Sequence, residues 1–181
     1  MSIVLCYADK NKAIIASDGR VIDNKGNIIN ESFRKFFRIN SKILLGYAGD
    51  LGPCESVAML FKKQPEKFLN KLSFNNVYEF ILQYCESFPS NTRYGFILCG
   101  ISEGKIAVAN ITPYISPSKQ YMKGSEPYFS ELGPEEIRGK NIFASFLLKQ
   151  KPEAAIKSTI EYCAKISKSV NHQVFLDQVL L

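Results

Sequence analysis

The sequence predicts an α+β fold in which two antiparallel sheets pack face to face between two layers of helices, an αββα sandwich. Two observations predict this fold: short apolar runs occur in hairpin-like pairs, and pairs of helical segments interrupt these runs. Strand runs separated by helix pairs favour stacked sheets with helices on the outside. At 181 residues, 46% of them hydrophobic, the chain can bury one core but is short for two. Residues 1–181 are therefore predicted to form a single domain.

The predicted strands of the N-terminal half form two pairs. Residues 3–8 and 13–17 are apolar runs joined by a polar turn, and residues 34–39 and 42–48 form the second pair. A loop rich in Gly and Asn, residues 23–27, is predicted between the pairs.

Two helices are predicted to follow. The first begins near residue 51, where Pro53 occupies an early position that loses no hydrogen bond. The second has apolar residues recurring at helical spacing from Val77 to Phe88, and Pro89 helps to end it. The rest of the chain is predicted as strands at 94–101, 105–111 and 120–123, helices at 134–149 and 152–168, and a final strand at 173–180.

Composition argues against several classes of function. The net charge of +6 comes from lysines scattered along the chain, which indicates a solvated surface and no nucleic-acid partner. No run approaches the roughly 20 apolar residues of a membrane span, so no membrane association is expected. Charges arrive at Asp9 and Lys10, before any apolar stretch of signal-peptide length. A cytoplasmic protein is therefore predicted.

The five cysteines are far apart, form no CxxC motif and sit within apolar runs. Because His172 is the single histidine, a structural zinc site is not expected. Buried free thiols are predicted.

Ser2 stands directly behind Met1 and one residue before the first predicted strand. Methionine before a small residue is readily removed, which would leave the α-amino group of Ser2 beside its own hydroxyl. An α-amino group titrates near ~7.7–8.0 and can act as general base toward a hydroxyl. Ser2 is therefore a candidate nucleophile, the alternative being a residue merely tolerated behind Met1.

Three further residues fit the same chemistry. Asp18 ends the second strand, which antiparallel pairing returns to the start of the first strand. Lys35 follows on the third strand, and a lysine beside Ser2 would ease deprotonation of the hydroxyl. Arg34 directly precedes Lys35, and the strand register is ambiguous by one residue, so either side chain could be the cation beside Ser2. Gly49 lies where a strand passes into a helix, and backbone N–H groups there could hold an oxyanion.

Together these residues resemble the proteasome β-subunit family of N-terminal nucleophile hydrolases, particularly its bacterial branch, the heat-shock-locus V (HslV-like) protease. The spacing from Ser2 to Asp18 matches the family without a gap, and IIASDGR is similar to its hydrophobic strand followed by Asp-x-Arg. RKFFRINSKILLGYAGD is similar to the family's lysine strand, hairpin and glycine turn. The likeness covers residues 2–64 well, and two later pieces, KGSEPY and VNHQ, resemble family stretches.

The resemblance implies a role for each matching position. Ser2 takes the place of the nucleophile, where family members usually carry threonine, and residues 165–169 lack the Asp-x-x-Ser-Gly of the eukaryotic type. The implied roles are Asp18 and Lys35 as the supporting pair, Gly49 as the oxyanion donor, Arg20 and Ser125 as supporting residues, and Tyr47 at the base of the substrate pocket.

The implied function is hydrolysis of peptides or unfolded proteins by a homo-oligomeric ring, with an ATPase unfoldase as a candidate partner and no cofactor. Two alternatives share the fold: a non-catalytic ring subunit and a small-amide hydrolase. A Ser-His-Asp hydrolase built on His172 is disfavoured, because no G-x-S-x-G motif occurs.

Overall fold

The computed structural model describes residues 3–23, 25–124, 126–134 and 137–181. Its strands are β1 (Val4–Ala8), β2 (Lys12–Asp18), β3 (Val21–Ile22), β4 (Ile28–Asn30), β5 (Phe36–Asn40), β6 (Ile43–Gly49), β7 (Tyr94–Ser102), β8 (Lys105–Ile111), β9 (Ser118–Tyr121), β10 (Tyr128–Leu132) and β11 (Val174–Leu180). Its helices are α1 (Leu51–Lys62), α2 (Glu66–Leu69), α3 (Phe74–Cys85), α4 (Gly139–Leu147) and α5 (Pro152–Ile166).

Two antiparallel sheets form the centre of the molecule. One has the strand order β10-β1-β2-β11 and the other the order β5-β6-β7-β8-β9, while β3 and β4 form a separate small hairpin. A buried cluster that includes Val4, Ile15, Leu44 and Ile97 fills the space between the two sheets. Burial of this apolar surface is the main force that holds the sheets together.

Helices cover the outer face of each sheet. On the five-stranded sheet, residues of α1 and α3 such as Val57 and Ile81 share a core with β6 and β7. On the four-stranded sheet, Phe143 of α4 and Ile160 of α5 share a core with β1 and β2. The predicted αββα sandwich is confirmed.

Local sequence explains where most helices begin. Pro53 lies in the first turn of α1, and Pro152 is the first residue of α5, where its missing N–H is not needed. Ser73 and Asn76 form a reciprocal capping box at the start of α3. The fourth helix is the exception: its predicted start at 134 is too early, because Arg138 adopts a left-handed conformation and α4 begins only at Gly139.

Four elements were not predicted. Strands β3 and β4 form a hairpin on either side of the loop at 23–27, the short helix α2 follows α1, and β10 pairs with β1 through the Val4 and Leu132 register. The third predicted strand also begins later than residue 34, since β5 starts at Phe36. The sequence pattern does not predict β10, because only Ser130 and Leu132 of its five residues are buried.

All five cysteines are buried free thiols. Among the described residues, no helix has the length and hydrophobicity that crossing a membrane requires.

Candidate active site

The register of β1 and β2 brings Asp18 to the start of the first strand. Val4 lies opposite Ser17, so Asp18 comes next to Ile3. The backbone N–H of Ile3 donates to Asp18 Oδ1 at 3.0 Å, and the Asp18 N–H donates to the Ile3 carbonyl at 3.3 Å. Asp18 therefore holds the residue that directly follows Ser2. Ser2 itself lies outside the described residues, as does the predicted supporting residue Ser125.

Lys35 completes a buried ion pair with Asp18. Its ammonium Nζ lies 2.7 Å from Asp18 Oδ1 and 2.9 Å from the Asp18 carbonyl oxygen. Only 3% of Lys35 and none of Asp18 is exposed. The same carboxylate oxygen thus accepts from both Lys35 and the Ile3 N–H.

The structure also decides between the two neighbouring cations. Arg34 is exposed, and its guanidinium lies 5.2 Å from the ring centroid of Phe36 and 5.4 Å from that of Phe175. Lys35 faces the opposite way, into the interior. The cation at the Asp18 carboxylate is therefore Lys35.

Burial and neighbouring charges have opposite effects on the pKa of Lys35. Loss of hydration disfavours the ammonium and lowers the pKa of Lys35 below its ordinary value, while the negative charges of Asp18 and Glu31 partly offset this decrease. A buried lysine with a lowered pKa releases its proton more readily than a surface lysine. This is the environment in which a lysine can take part in proton movement at a neighbouring group.

Gly49 lies at the point where β6 ends and α1 begins. Its φ of +127° falls in a region that favours glycine, and a Cβ there would lie 2.3 Å from the Arg93 carbonyl oxygen. Asp50 fixes this turn, because its N–H donates to the Arg93 carbonyl at 2.7 Å and its carboxylate accepts from the Arg93 N–H at 3.0 Å. No other residue type fits at position 49 without moving this backbone.

Lys35, Tyr47 and Gly49 line one open cleft of about 780 Å³. The Tyr47 N–H donates to the Lys35 carbonyl at 2.9 Å, which holds β6 against the segment carrying the lysine. Three of the predicted site residues are therefore brought together at one opening. The other residues lining this cleft are Val21, Ile22, Asp23, Ile29, Phe33, Ala48, Asp50, Leu51, Gly52, Cys54, Asn91 and Arg93.

Tyr47 lies beneath this cleft and also belongs to the core. Only 2% of it is exposed, and it packs in the cluster between the five-stranded sheet and the helices. Burial raises the pKa of the Tyr47 phenol, and within the described residues its hydroxyl has no hydrogen-bond partner.

Cys54 is the thiol that lines the same cleft. Burial raises its pKa to about 12, and its Sγ lies 3.5 Å from the Ala48 carbonyl oxygen. Since the thiolate is the reactive form of cysteine, this thiol is a poor nucleophile at neutral pH.

Arg20 supports the site through its backbone and its side chain. Its N–H donates to Asp18 Oδ2 at 2.9 Å, and its guanidinium pairs with Glu31 and donates to the Lys168 carbonyl at 2.6 Å. The predicted supporting position therefore contacts the catalytic candidates. His172, by contrast, is exposed and makes no hydrogen bond within the part of the chain that the structure describes.

Two residues at the site were not predicted: Glu31 and Asn171. The Asn171 side chain accepts from the Gly19 N–H at 2.8 Å and donates to Glu31 Oε2 at 2.6 Å. The only trace of Asn171 in the sequence is its place in VNHQ, just before the last strand, and Glu31 follows a polar loop without a recognisable motif. No group of metal-ligating side chains is found among the residues described.

The chain is similar to known proteins both in sequence and in fold. Residues 2–86 match the family model described as proteasome subunit. The whole chain is also similar to the crystal structure of eukaryotic HslV from Trypanosoma brucei, with 13% identity, a TM-score of 0.74 and coverage of 99% of both chains. Residues 2–86 are thus similar to proteasome subunits, and the whole chain shares the fold of HslV.

The structural match extends the proteasome-like fold beyond the 2–86 segment, through α4, α5 and β11. The resemblance drawn from the sequence is confirmed. The sequence match supports a proteasome-type peptidase or a ring subunit of that type.

Proposed function

We propose that this protein is a proteasome-type endopeptidase whose nucleophile is the hydroxyl of Ser2, exposed at the N-terminus by removal of Met1. The observation that carries the proposal is the double contact at Asp18 Oδ1, which accepts from both the Ile3 N–H and the Lys35 ammonium. The residue next to Ser2 is thereby fixed at a buried ion pair. A ring subunit without catalytic function would not need a charged pair at this position, because burying two charges brings little net stability.

The proposed reaction begins with attack of the Ser2 hydroxyl oxygen on the carbonyl carbon of a peptide bond. The α-amino group of Ser2 accepts the hydroxyl proton, and the Lys35 ammonium stabilises the oxygen as it loses that proton. The Gly49 N–H donates to the oxyanion of the tetrahedral intermediate. The protonated α-amino group then gives its proton to the leaving amine, and an acyl-enzyme ester on Ser2 remains.

Water completes the cycle. The free α-amino group takes a proton from a water molecule, which attacks the ester carbon, and the Ser2 oxygen recovers a proton as it leaves. Asp18 keeps Lys35 charged and oriented throughout. No cofactor is needed for any of these steps.

The test of this function is a peptide-hydrolysis assay on purified protein whose N-terminus has been determined by intact mass. We expect cleavage in protein that has lost Met1. Quantitative retention of Met1 together with an absence of cleavage would favour a non-catalytic ring subunit.

Tyr47 is proposed to limit the side chains that this enzyme accepts before the cleaved bond. Because a large residue shortens the pocket, small or medium apolar side chains should be preferred over large aromatic ones. Tyr47→Ala should improve cleavage after large residues relative to small ones by about 10- to 200-fold, the range for discrimination of ~1–3 kcal/mol. A peptide panel measures this ratio.

Tyr47→Phe is the matched control, since it removes the hydroxyl and keeps the ring. It should leave the peptide ranking unchanged. Because Tyr47→Ala leaves a cavity in a buried cluster, Tyr47→Leu provides a second, better filled variant. An unchanged ranking in both folded truncations would show that Tyr47 serves only in packing.

Assembly into a homo-oligomeric ring is proposed from the resemblance to proteasome subunits, with residues 1–181 as one domain. The cleft is open to solvent, and enclosure of the sites within a ring would keep folded proteins away from them. Light scattering should give a molar mass several times that of the 20.4 kDa chain. A stable monomer at micromolar concentration would contradict this and favour a small-amide hydrolase.

We further propose a cytoplasmic location, unfolded proteins as substrates and an ATPase unfoldase as partner. The substrates and the partner are proposed from the resemblance to proteasome subunits together with the proposed ring, and the location from the absence of a signal-like or membrane-spanning stretch in the sequence.

A further inference from the structure

We propose that Asn171 is a positioning residue that holds the Asp18–Lys35 pair in place by joining the turn after β2 to Glu31. This inference rests on the proposed function, because the pair it positions is the one assigned to Ser2. Asn171 is 153 residues away from Asp18 in sequence, and the contact depends on the approach of β11 to β2.

The contacts of Asn171 reach both sides of the turn. Its backbone N–H points to Asp18 Oδ2 at 3.4 Å, and its side-chain oxygen accepts from the Gly19 N–H at 2.8 Å. Its side-chain NH₂ group donates to the Glu31 carbonyl at 2.7 Å and to Glu31 Oε2 at 2.6 Å. All the hydrogen-bonding groups of this side chain are thus directed at the two segments that carry Asp18 and Lys35.

Burial makes these contacts restrictive. Asn171 is 8% exposed, so water cannot readily replace a lost hydrogen bond. Gly19 is packed so closely that a Cβ there would lie 2.6 Å from the Glu31 carbonyl oxygen. The close packing leaves no space for the turn and the Glu31 segment to approach further, and the hydrogen bonds of Asn171 to both segments oppose their separation.

The bridge also places a second carboxylate near Lys35. Glu31 accepts from Arg20 at 3.1 Å and from Asn171, and these two donors hold the pKa of Glu31 below its ordinary value. The negative charge of Glu31, like that of Asp18, raises the pKa of Lys35. The other charged groups of the cleft are Asp23, Asp50 and Arg93.

Asn171→Asp tests the inference with almost no change in shape. The variant keeps the acceptor for the Gly19 N–H but turns the donor that faces Glu31 into a carboxylate oxygen. Repulsion between the two carboxylates should displace the turn, and a displacement near 1 Å can reduce the rate about 100-fold. We expect kcat to fall by about 10- to 100-fold with KM within about twofold of the original value.

The combined variant Asn171→Asp with Glu31→Gln should recover part of this loss, because the amide introduced by the second substitution can donate to the new carboxylate. Gln173→Ala is the matched control: it removes the 3.0 Å hydrogen bond from Gln173 to Ser32 in the same loop without removing a donor to Asp18. It should leave kcat unchanged.

A measurement independent of activity is the titration of Lys35, followed by NMR in the full chain carrying ¹³C-labelled lysine and assigned with Lys35→Arg. The added carboxylate in Asn171→Asp should raise the pKa of Lys35, whereas Gln173→Ala should not change it. Unchanged kinetics and an unchanged titration in Asn171→Asp would overturn the inference. If Ser2→Ala were as active as the original protein while the Lys35 titration still moved, the proposed function would fail and the positioning role would stand.

Discussion

Ser2→Ala is expected to abolish peptide hydrolysis while leaving the fold and the assembly intact. The substitution removes only the oxygen that attacks the substrate, and loss of a catalytic nucleophile reduces rates by about 10³- to 10⁶-fold. Steady-state cleavage of a peptide substrate measures the loss. Thermal unfolding and light scattering verify that the variant remains folded and assembled.

Ser2→Thr is the matched control for this change. Threonine keeps the hydroxyl, and its β-methyl group restricts the side-chain rotamers, so activity should be retained or increased. Cys54→Ala should also stay active, since burial raises the pKa of that thiol to about 12. Unchanged cleavage by a folded Ser2→Ala protein would remove Ser2 from the mechanism.

Lys35→Ala is expected to lose most of the activity, by about 10²- to 10⁴-fold, the usual contribution of a residue that assists proton transfer. It also leaves the Asp18 carboxylate buried without its cation. Breaking a buried ion pair by removing one partner costs about 3–5 kcal/mol of stability. Activity assays at a temperature where the variant is folded, together with urea unfolding, measure the two effects.

Two comparisons separate chemistry from stability. Arg34→Ala should keep nearly full activity, because its guanidinium lies over the rings of Phe36 and Phe175 and contacts of this kind at exposed sites are worth about 0.5–1 kcal/mol. Asp18→Asn combined with Lys35→Met should regain stability without regaining activity, since the buried charges are then removed together. Activity in that folded double variant would show that the pair is only structural.

The sequence reveals the two sheets, the order of most elements and the spacing of the site residues because these features are local. Alternation in residues 3–8 and 13–17 predicts the first hairpin, and that hairpin alone returns Asp18 to the residue after Ser2. The choice of Lys35 over Arg34 could not be made in this way, because a shift by one residue reverses the faces of a strand. It depends on where β5 begins, at Phe36.

The sequence does not predict contacts between segments that are far apart in the chain. Asn171 reaches Gly19 only because β11 pairs with β2, and no spacing in the sequence records that pairing. β10 forms the edge of its sheet with few buried residues, and its partner β1 lies far earlier in the chain. The role of Glu31 at the site could not be predicted for the same reason, since its partner Asn171 is 140 residues away.

The central claim is that the hydroxyl of Ser2, freed by loss of Met1, is the nucleophile. The most direct measurement is mass spectrometry of the N-terminal peptide after incubation of the native protein with a peptide β-lactone, which acylates a reactive hydroxyl by ring opening and adds its whole mass. The account predicts a peptide that begins at Ser2 and carries one lactone mass on that residue, and labelling about 10²- to 10⁴-fold slower in Lys35→Ala. A peptide that still begins with Met1, or an adduct located on any other residue, would contradict it.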